Sequence, residues 1–214
     1  MRGVPNGAPF LFFRASYDTR MQIEYEATFA NINKEEIRDR LKKAGASLVR
    51  PEYLQKRIPF HLPKEKRSKH SWLRVRDEGG DMTLSLKTVD GDKIENQKEL
   101  LLRVDNFDTA VSILESIGCE SKSYQETKRE LWKLGDVEIT IDEWPFLEPF
   151  VEIEGTSEEV VRQSADILGF VWHDALFCAV GKLYEMKYGI PEDEINVAKK
   201  IVFDMENPFR PKAS

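Results

Sequence analysis

The chain has 214 residues, of which 33% are charged and 41% hydrophobic, and its formal net charge is −6. This length supports one substantial hydrophobic core, and the acidic balance argues against a general nucleic-acid-binding protein, which would be basic. No stretch approaches the roughly 20 apolar residues of a membrane span, so no membrane partner is expected. Cys119 and Cys178 lack metal-ligand spacing and are typical of a reduced, cytoplasmic protein.

The first 20 residues differ from the rest of the chain, because a clear strand pattern begins only at Met21. Residues 1–20 are therefore interpreted either as an extension that is not native, with Met21 as the biological start, or as an extra arm. A strand is predicted over residues 21–30. Asn33 then provides a helix N-cap, and Gly45 is placed to end that helix.

The middle of the chain is rich in strand patterns. Strands are predicted at 47–60, as one strand or a pair, and at 72–77, 82–89 and 94–104. The segment Asp77-Glu78-Gly79-Gly80-Asp81 predicts a hairpin between two of them. The basic residues 61–70 indicate a loop.

The second half repeats the alternation of helix and strands. A helix is predicted from Asp105 to Gly118, and another from Thr156 to about Leu168. Further strands are predicted at 124–134, 136–143 and 149–154. This order favours an α+β fold, an antiparallel β-barrel with peripheral helices. The domain is predicted to cover residues 21–190, with 191–214 as a C-terminal tail.

Charged residues alternate with apolar ones along several predicted strands, and each such strand carries mainly one sign. Residues two apart in a strand point to the same face, so each strand has one charged face. The acidic faces carry Glu24, Glu26, Asp142, Glu152 and Glu154, and the basic ones carry Arg74, Arg76 and Lys87. Facing each other across a barrel, the two sets would form a lumen that holds a metal ion and a polyanion. Taken alone, the Glu24–Glu26 pair is more typical of a solvated strand surface.

Several motifs occur in an order that resembles a known family. They are Glu24-Tyr25-Glu26, Phe60-His61-Leu62-Pro63, Trp72-Leu73-Arg74-Val75-Arg76, Thr83 to Lys87, Glu99, Lys128-Arg129-Glu130-Leu131-Trp132, Ile141-Asp142-Glu143, Phe150 to Gly155, and Tyr184 to Ile190. Together they are similar to the CYTH superfamily, the triphosphate tunnel metalloenzymes, which includes class IV adenylyl cyclases, thiamine triphosphatases and inorganic tripolyphosphatases. The resemblance covers about residues 21–190.

The resemblance implies a role for each of these residues. The implied metal ligands are Glu24, Glu26, Asp142, Glu152 and Glu154, and the implied substrate-binding residues are Arg74, Arg76, Lys87, Glu99 and Arg129. Glu24, Glu26, Lys87 and Arg129 are the candidate catalytic residues. Carboxylates without nearby His or Cys ligands favour a hard ion, Mg²⁺ or Mn²⁺. The expected partner is a small triphosphate such as ATP, thiamine triphosphate or tripolyphosphate, and a homodimer is one option for assembly.

Three positions depart from the family pattern, because Thr28, Gln97 and Thr127 stand where cations are expected. The first hypothesis is a metal-dependent enzyme that hydrolyses an organic or inorganic triphosphate or cyclises ATP to cyclic AMP. The alternative is a non-catalytic protein that binds polyphosphate or a nucleotide in an eroded site. A purely structural barrel is the plainest option.

Overall fold

The computed structural model describes residues 21–195 and 198–209. The prediction for residues 1–20 lies outside the described residues. No helix within the described ranges is long and apolar enough to cross a membrane.

Strands are the commonest regular element of the described chain. They are β1 (Gln22–Ile23), β2 (Tyr25–Phe29), β3 (Ser47–Phe60), β4 (Ser71–Asp77), β5 (Met82–Val89), β6 (Gln97–Val104), β7 (Tyr124–Leu134), β8 (Val137–Glu143), β9 (Phe150–Gly155) and β10 (Lys200–Ile201). The α-helices are α1 (Lys34–Lys43), α2 (Phe107–Ser116), α3 (Glu158–Ile167), α4 (Gly181–Tyr188) and α5 (Glu192–Ile195). Short 3₁₀ turns cover Lys64–Lys66, Ile94–Asn96 and Trp172–Asp174.

The strands form one sheet in the order β1-β6-β5-β4-β3-β7-β8-β9-β2. All of these neighbours are antiparallel, and β10 adds a parallel pairing to β7. Because β1 and β2 are consecutive in the chain but pair with opposite ends of the sheet, the break between them closes it into a barrel. The predicted α+β antiparallel barrel with peripheral helices is confirmed.

The closing point is held by hydrogen bonds around Glu24, the residue between β1 and β2. The backbone N–H of Glu24 donates to the carbonyl of Gln97 (2.9 Å), and the side-chain Nε2 of Gln97 donates to the carbonyl of Glu26 (2.8 Å). The predicted strand over residues 21–30 is therefore two strands with a break at Glu24.

Side-chain caps fix the starts of three helices, as Asn and Ser commonly do. Asn33 accepts from the N–H groups of Glu35 and Glu36, Asn106 accepts from Thr109, and Ser157 accepts from Val160. Gly45 follows the end of α1 with φ +79°, a left-handed conformation that favours glycine. The predicted beginning and end of the first helix are confirmed.

The predictions differ from the structure in two further local places, and a third is decided between alternatives. The strand predicted over 94–104 begins at Gln97, because the Asn96 side chain accepts from the Lys93 N–H and stabilises a 3₁₀ turn there instead. The loop at 61–70 also contains a 3₁₀ turn after Pro63. Residues 47–60 form one strand with two register shifts, which decides between the one-strand and two-strand alternatives.

The hydrophobic clusters lie outside the barrel and at one end of it. The first cluster joins α1 and α3 to the outer faces of β2, β8 and β9. A second places α2 over β4 and β5. The third packs α4 and Ile195, Ile201 and Phe209 against Trp144 and Phe150. Where these clusters take up the apolar face of a strand, as in β2, β4, β8 and β9, the alternate, polar residues point into the barrel.

Candidate functional site

The inward faces of the strands surround a cavity of about 360 Å³, which we call the lumen. Nine of the ten predicted site residues line it: Glu24, Glu26, Arg74, Arg76, Lys87, Glu99, Arg129, Glu152 and Glu154. Asp142 is fully buried and lies behind Arg129, to which it is bonded. The alternation in the sequence thus brings the predicted residues together around one space.

One wall of the lumen is acidic. Glu26 on β2 lies opposite Glu154 on β9. Glu152 is two residues before Glu154 and lies on the same face of β9. Burial raises the pKa of Glu152 to about 8, and the negative charges of Glu26 and Asp142 add to this effect. Burial likewise raises the pKa of Glu24 to about 8, against the opposing effect of Lys87. Without a cation between them, these carboxylates repel each other in a poorly solvated space.

Three predicted basic residues of the lumen, Arg74, Arg76 and Lys87, are paired with lumen acids. Arg74 donates to Glu99 (2.9 Å), and Lys87 Nζ lies 2.8 Å from Glu24 Oε2. Burial raises the pKa of Glu99, whereas the positive charge of Arg74 lowers it, and the net result is a pKa lowered to about 2. Arg76 Nε lies 2.7 Å from Glu78, and burial together with Arg74 lowers the pKa of Arg76 to about 10. The basic wall therefore concentrates positive charge, and each of these three cations is held beside an acid of the same cavity.

Arg129 connects the two walls. Its guanidinium donates to both carboxylate oxygens of Asp142 (2.7 and 3.0 Å) and to Glu152 (2.6 Å). Asp142 also accepts from the Thr140 hydroxyl (2.6 Å). Because Asp142 is fully buried and holds Arg129 through a two-point bond, it fixes where the guanidinium enters the lumen.

The donor set fits a hard divalent cation, although the carboxylates are turned to Lys87 and Arg129. Among the residues that the structure describes, no three Asp, Glu, His or Cys side chains converge closely enough to hold a metal ion. Glu24 Oε2 is buried and lies 2.8 Å from Lys87 Nζ, a contact whose angles do not meet those of a hydrogen bond. A buried carboxylate oxygen of this kind, beside three more glutamates, matches the oxygen ligands that Mg²⁺ and Mn²⁺ prefer.

The three neutral residues at expected cation positions all have structural contacts. Thr28 is buried where its backbone pairs with Leu176 in both directions (2.9 Å each). Gln97 supports the closing strand through its bond to Glu26. Thr127 is fully buried and accepts a hydrogen bond from Arg57 Nη2 (2.7 Å).

Several lumen residues were not predicted as site residues. On β3, Tyr53, Arg57 and Pro59 line the lumen, and the same period-two alternation that identified Arg74 and Arg76 could have found them. Residues 178–181 and Glu192 form part of the wall from far along the chain, and no sequence pattern signals this. A Cβ on Gly181 would lie 2.5 Å from Glu192 Cγ, so a larger residue here would require the Glu192 side chain to shift.

Comparisons with known proteins agree with this fold. A Methanocaldococcus jannaschii protein named "Putative adenylate cyclase" is 26% identical over 140 residues, which are 64% of this chain and 79% of that protein. The solved structure of a "putative adenylate cyclase" from Vibrio parahaemolyticus superposes with a TM-score of 0.67 at 15% identity, covering 77% of this chain and 98% of that one.

A third relative has a reported activity in its description. It is a "putative adenylyl cyclase" from Hippeastrum, described as having a dominant triphosphatase activity, with a TM-score of 0.52 at 15% identity over 78% of this chain and 98% of that one. Residues 22–170, well over half of the chain, match the model of the CYTH domain. The chain therefore belongs to the CYTH domain family.

Proposed function

We propose that this protein is a metal-dependent enzyme that hydrolyses a triphosphate bound in the lumen. The observation that carries this proposal is the separation of charge inside one cavity, with an acidic wall from β2 and β9 and a basic wall from β3, β4 and β5. The basic wall is complementary to a polyanion, and the acidic wall is complementary to a divalent cation. Transfer of a phosphoryl group needs mainly positioning and charge neutralisation, which these walls would supply.

The ion pairs of the lumen couple the two binding events. Arg74, Lys87 and Arg129 each hold a carboxylate in the described structure. Phosphate oxygens would take the place of these carboxylates, and arginine suits them because its planar fork donates two parallel hydrogen bonds. The released carboxylates are then available to a metal ion. Substrate and metal are therefore expected to bind more tightly together than separately.

The acidic wall would hold the metal through Glu24, Glu26, Glu152 and Glu154. Mg²⁺ or Mn²⁺ supplies charge neutralisation and orientation of the phosphate chain when bound, and enzymes of this fold family are metal-dependent in general. Asp142 is placed to orient Arg129, and its predicted role as a metal ligand stays a prediction. Arg129 is the residue that spans both walls, so we assign it to the phosphoryl group that is transferred.

Cyclisation of ATP is the second candidate function, because all three relatives described above carry the name "putative adenylate cyclase" or "putative adenylyl cyclase". In that reaction the ribose 3′-hydroxyl attacks the α-phosphorus and pyrophosphate leaves. In hydrolysis, water attacks the terminal phosphorus and orthophosphate leaves. The described triphosphatase activity of the Hippeastrum protein supports hydrolysis as the first candidate.

Product release from a substrate panel tests the proposal. ATP, thiamine triphosphate and tripolyphosphate are incubated with the protein and Mg²⁺ or Mn²⁺, and orthophosphate, pyrophosphate and cyclic AMP are measured. Orthophosphate from one substrate supports hydrolysis and names the substrate. Pyrophosphate with cyclic AMP identifies a cyclase. Tight binding of a triphosphate without turnover under any metal would replace the enzyme by a binding protein.

A paired variant shows whether any turnover arises in the lumen. Glu24→Gln combined with Glu152→Gln removes one carboxyl group from each side of the acidic wall and should abolish metal-dependent turnover. Glu95→Gln combined with Glu115→Gln is the control, since both acids are exposed and outside the lumen. Unchanged turnover in the first pair would place the activity elsewhere.

A further inference from the structure

Arg57 differs from the other arginines of the lumen in its partners. It lies on β3 and is only 6% exposed, and it lines the cavity. Its Nη2 donates to Gln55 Oε1 (2.7 Å) and to Thr127 Oγ1 (2.7 Å), which are both neutral groups. Arg74, Arg76 and Arg129 each form an ion pair, whereas Arg57 forms none with the described residues.

The surroundings of Arg57 oppose its charge. Burial lowers its pKa well below the ordinary value for arginine, and the positive charges of Arg74, Arg76 and Arg129 add to this effect. Its Nε–H is buried and has no acceptor, while its guanidinium carbon lies 4.7 Å from the ring centre of Trp144. A buried charge without a counter-ion is destabilising. A bound anion would supply the counter-ion and would explain why a charged residue is kept at this position.

The position of Arg57 also explains a neutral residue on the neighbouring strand. In the β3–β7 pairing Gln55 lies opposite Thr127, and Arg57 lies opposite Gln125. Arg57 reaches back along this pair, so that its guanidinium is bonded to Thr127. The charge missing from Thr127 on β7 is therefore present in the same part of the lumen but comes from β3.

We propose that Arg57 is a substrate-binding residue whose guanidinium holds an oxygen of a condensed phosphate chain, in place of a cation at position 127. This inference rests on the proposed function, because it requires a polyphosphate in the lumen. The unpaired Nε–H provides a donor without breaking either existing hydrogen bond. With Arg57, four guanidinium groups influence one another in the lumen, an arrangement suited to a chain of several phosphates rather than to a single carboxylate.

Removal of the charge at position 57 separates a binding role from a structural one. Tripolyphosphate binding to the wild-type protein and to Arg57→Gln is measured by calorimetry with Mg²⁺, and the Tm of each is measured without ligand. We expect Arg57→Gln to bind at least about tenfold more weakly and to have an equal or higher Tm, because the uncompensated charge is gone. Arg57→Lys keeps the charge but not the fork and should bind more weakly by a smaller factor.

Two further variants complete the test. Thr127→Lys added to Arg57→Gln should restore most of the affinity, since it returns a cation to the same place. Arg38→Gln is the matched control: Arg38 is a partly buried arginine outside the lumen, bonded to the buried Glu130 at 2.7 Å, so its loss should lower the Tm and leave the affinity unchanged.

The outcomes also distinguish this inference from the proposed function. If the wild-type protein binds tripolyphosphate and Arg57→Gln binds it equally well, Arg57 is not a ligand and the inference is overturned alone. A lower Tm of Arg57→Gln with unchanged affinity would assign Arg57 a structural role and would also overturn the inference. If Arg57→Gln does not fold, unchanged affinity in Arg57→Lys overturns the inference. Failure of the wild-type protein to bind any condensed phosphate would overturn the proposed function itself.

Discussion

At the scale of single residues, the charged side chains of the lumen differ in whether they have a partner of opposite charge. Arg129 is bonded to two carboxylates and Lys87 is paired with Glu24, whereas the hydrogen-bond partners of Arg57 among the described residues are neutral. A paired charge contributes to folding and must be released for substrate, whereas an unpaired one is ready for an anion. The same cavity therefore contains residues that stabilise the protein and residues that reduce its stability.

Arg129→Gln is expected to affect both stability and activity. Asp142 is fully buried, and loss of its guanidinium partner should lower the free energy of unfolding by about 3–5 kcal/mol. Turnover should fall by at least about 10²-fold, because a preorganised charge at the phosphoryl group is removed. Denaturant titration and product release measure these effects. Arg103→Gln, which breaks the exposed pair with Asp81, should leave both unchanged.

Replacement of two opposed acids tests the metal site directly. Glu26→Gln combined with Glu154→Gln removes a neighbouring pair of carboxylates across β2 and β9. Mn²⁺ affinity, measured by calorimetry in the presence of tripolyphosphate, should fall by at least about 10-fold. Glu36→Gln, on the exposed face of α1, provides the comparison. Equal Mn²⁺ affinity in all three proteins would move the metal away from this wall.

At the scale of elements, the break between β1 and β2 places the first two acids. β1 pairs with β6, and after Glu24 the chain continues as β2, which pairs with β9. Glu24 and Glu26 therefore reach the lumen from the segment that closes the barrel. Gln97 holds this break with a fully buried side chain. Its amide therefore has a structural role at a position where the family pattern predicted a cation.

Gln97→Leu should weaken the closure. The carbonyl of Glu26 would lose its donor in a buried place, which costs about 1–3 kcal/mol of the free energy of unfolding. Metal-dependent turnover should fall as well, because Glu24 and Glu26 are no longer fixed. Denaturation and turnover are compared with Gln163→Leu. Within the described part of the chain the amide of Gln163 donates to the exposed Glu159, and its loss should change neither quantity. A stable, fully active Gln97→Leu protein would exclude this role.

At the scale of the whole molecule, the C-terminal residues cover one end of the barrel. Ile195, Ile201 and Phe209 pack with Trp144 and Tyr184, and β10 pairs with β7. Residues predicted as a tail after 190 therefore contact both the core and the lumen wall at Glu192. The cluster lies next to Arg57, which is stacked on Trp144.

Truncation after Gly189 should be strongly destabilising. It removes three large buried side chains, and each contributes about 1.5–3 kcal/mol, so the Tm should fall by about 10 °C or more. Phe209→Ala tests the same packing with one residue and should lower the free energy of unfolding by about 3–5 kcal/mol. Thermal unfolding monitored by circular dichroism measures both. If the Tm is unchanged after truncation, this segment does not support the barrel.

The amino-acid sequence by itself determined the elements and the chemistry of the lumen. Period-two alternation marked Arg74, Arg76, Glu152 and Glu154 as residues of common faces, and Asn33 marked the start of a helix. Both signals are local, because side-chain direction along a strand and a helix cap depend on residues only a few positions apart.

Only the tertiary structure decided how these charges are paired. The contacts of Arg57 with Thr127, of Gln97 with Glu26 and of Glu192 with Gly181 join residues that are 11 to 71 positions apart or belong to different elements. Nothing in a local pattern specifies them, because they depend on the sheet order and on closure by β1 and β2. The physical reason is that the energy of a buried charge depends on its neighbours in space, whatever their distance along the chain.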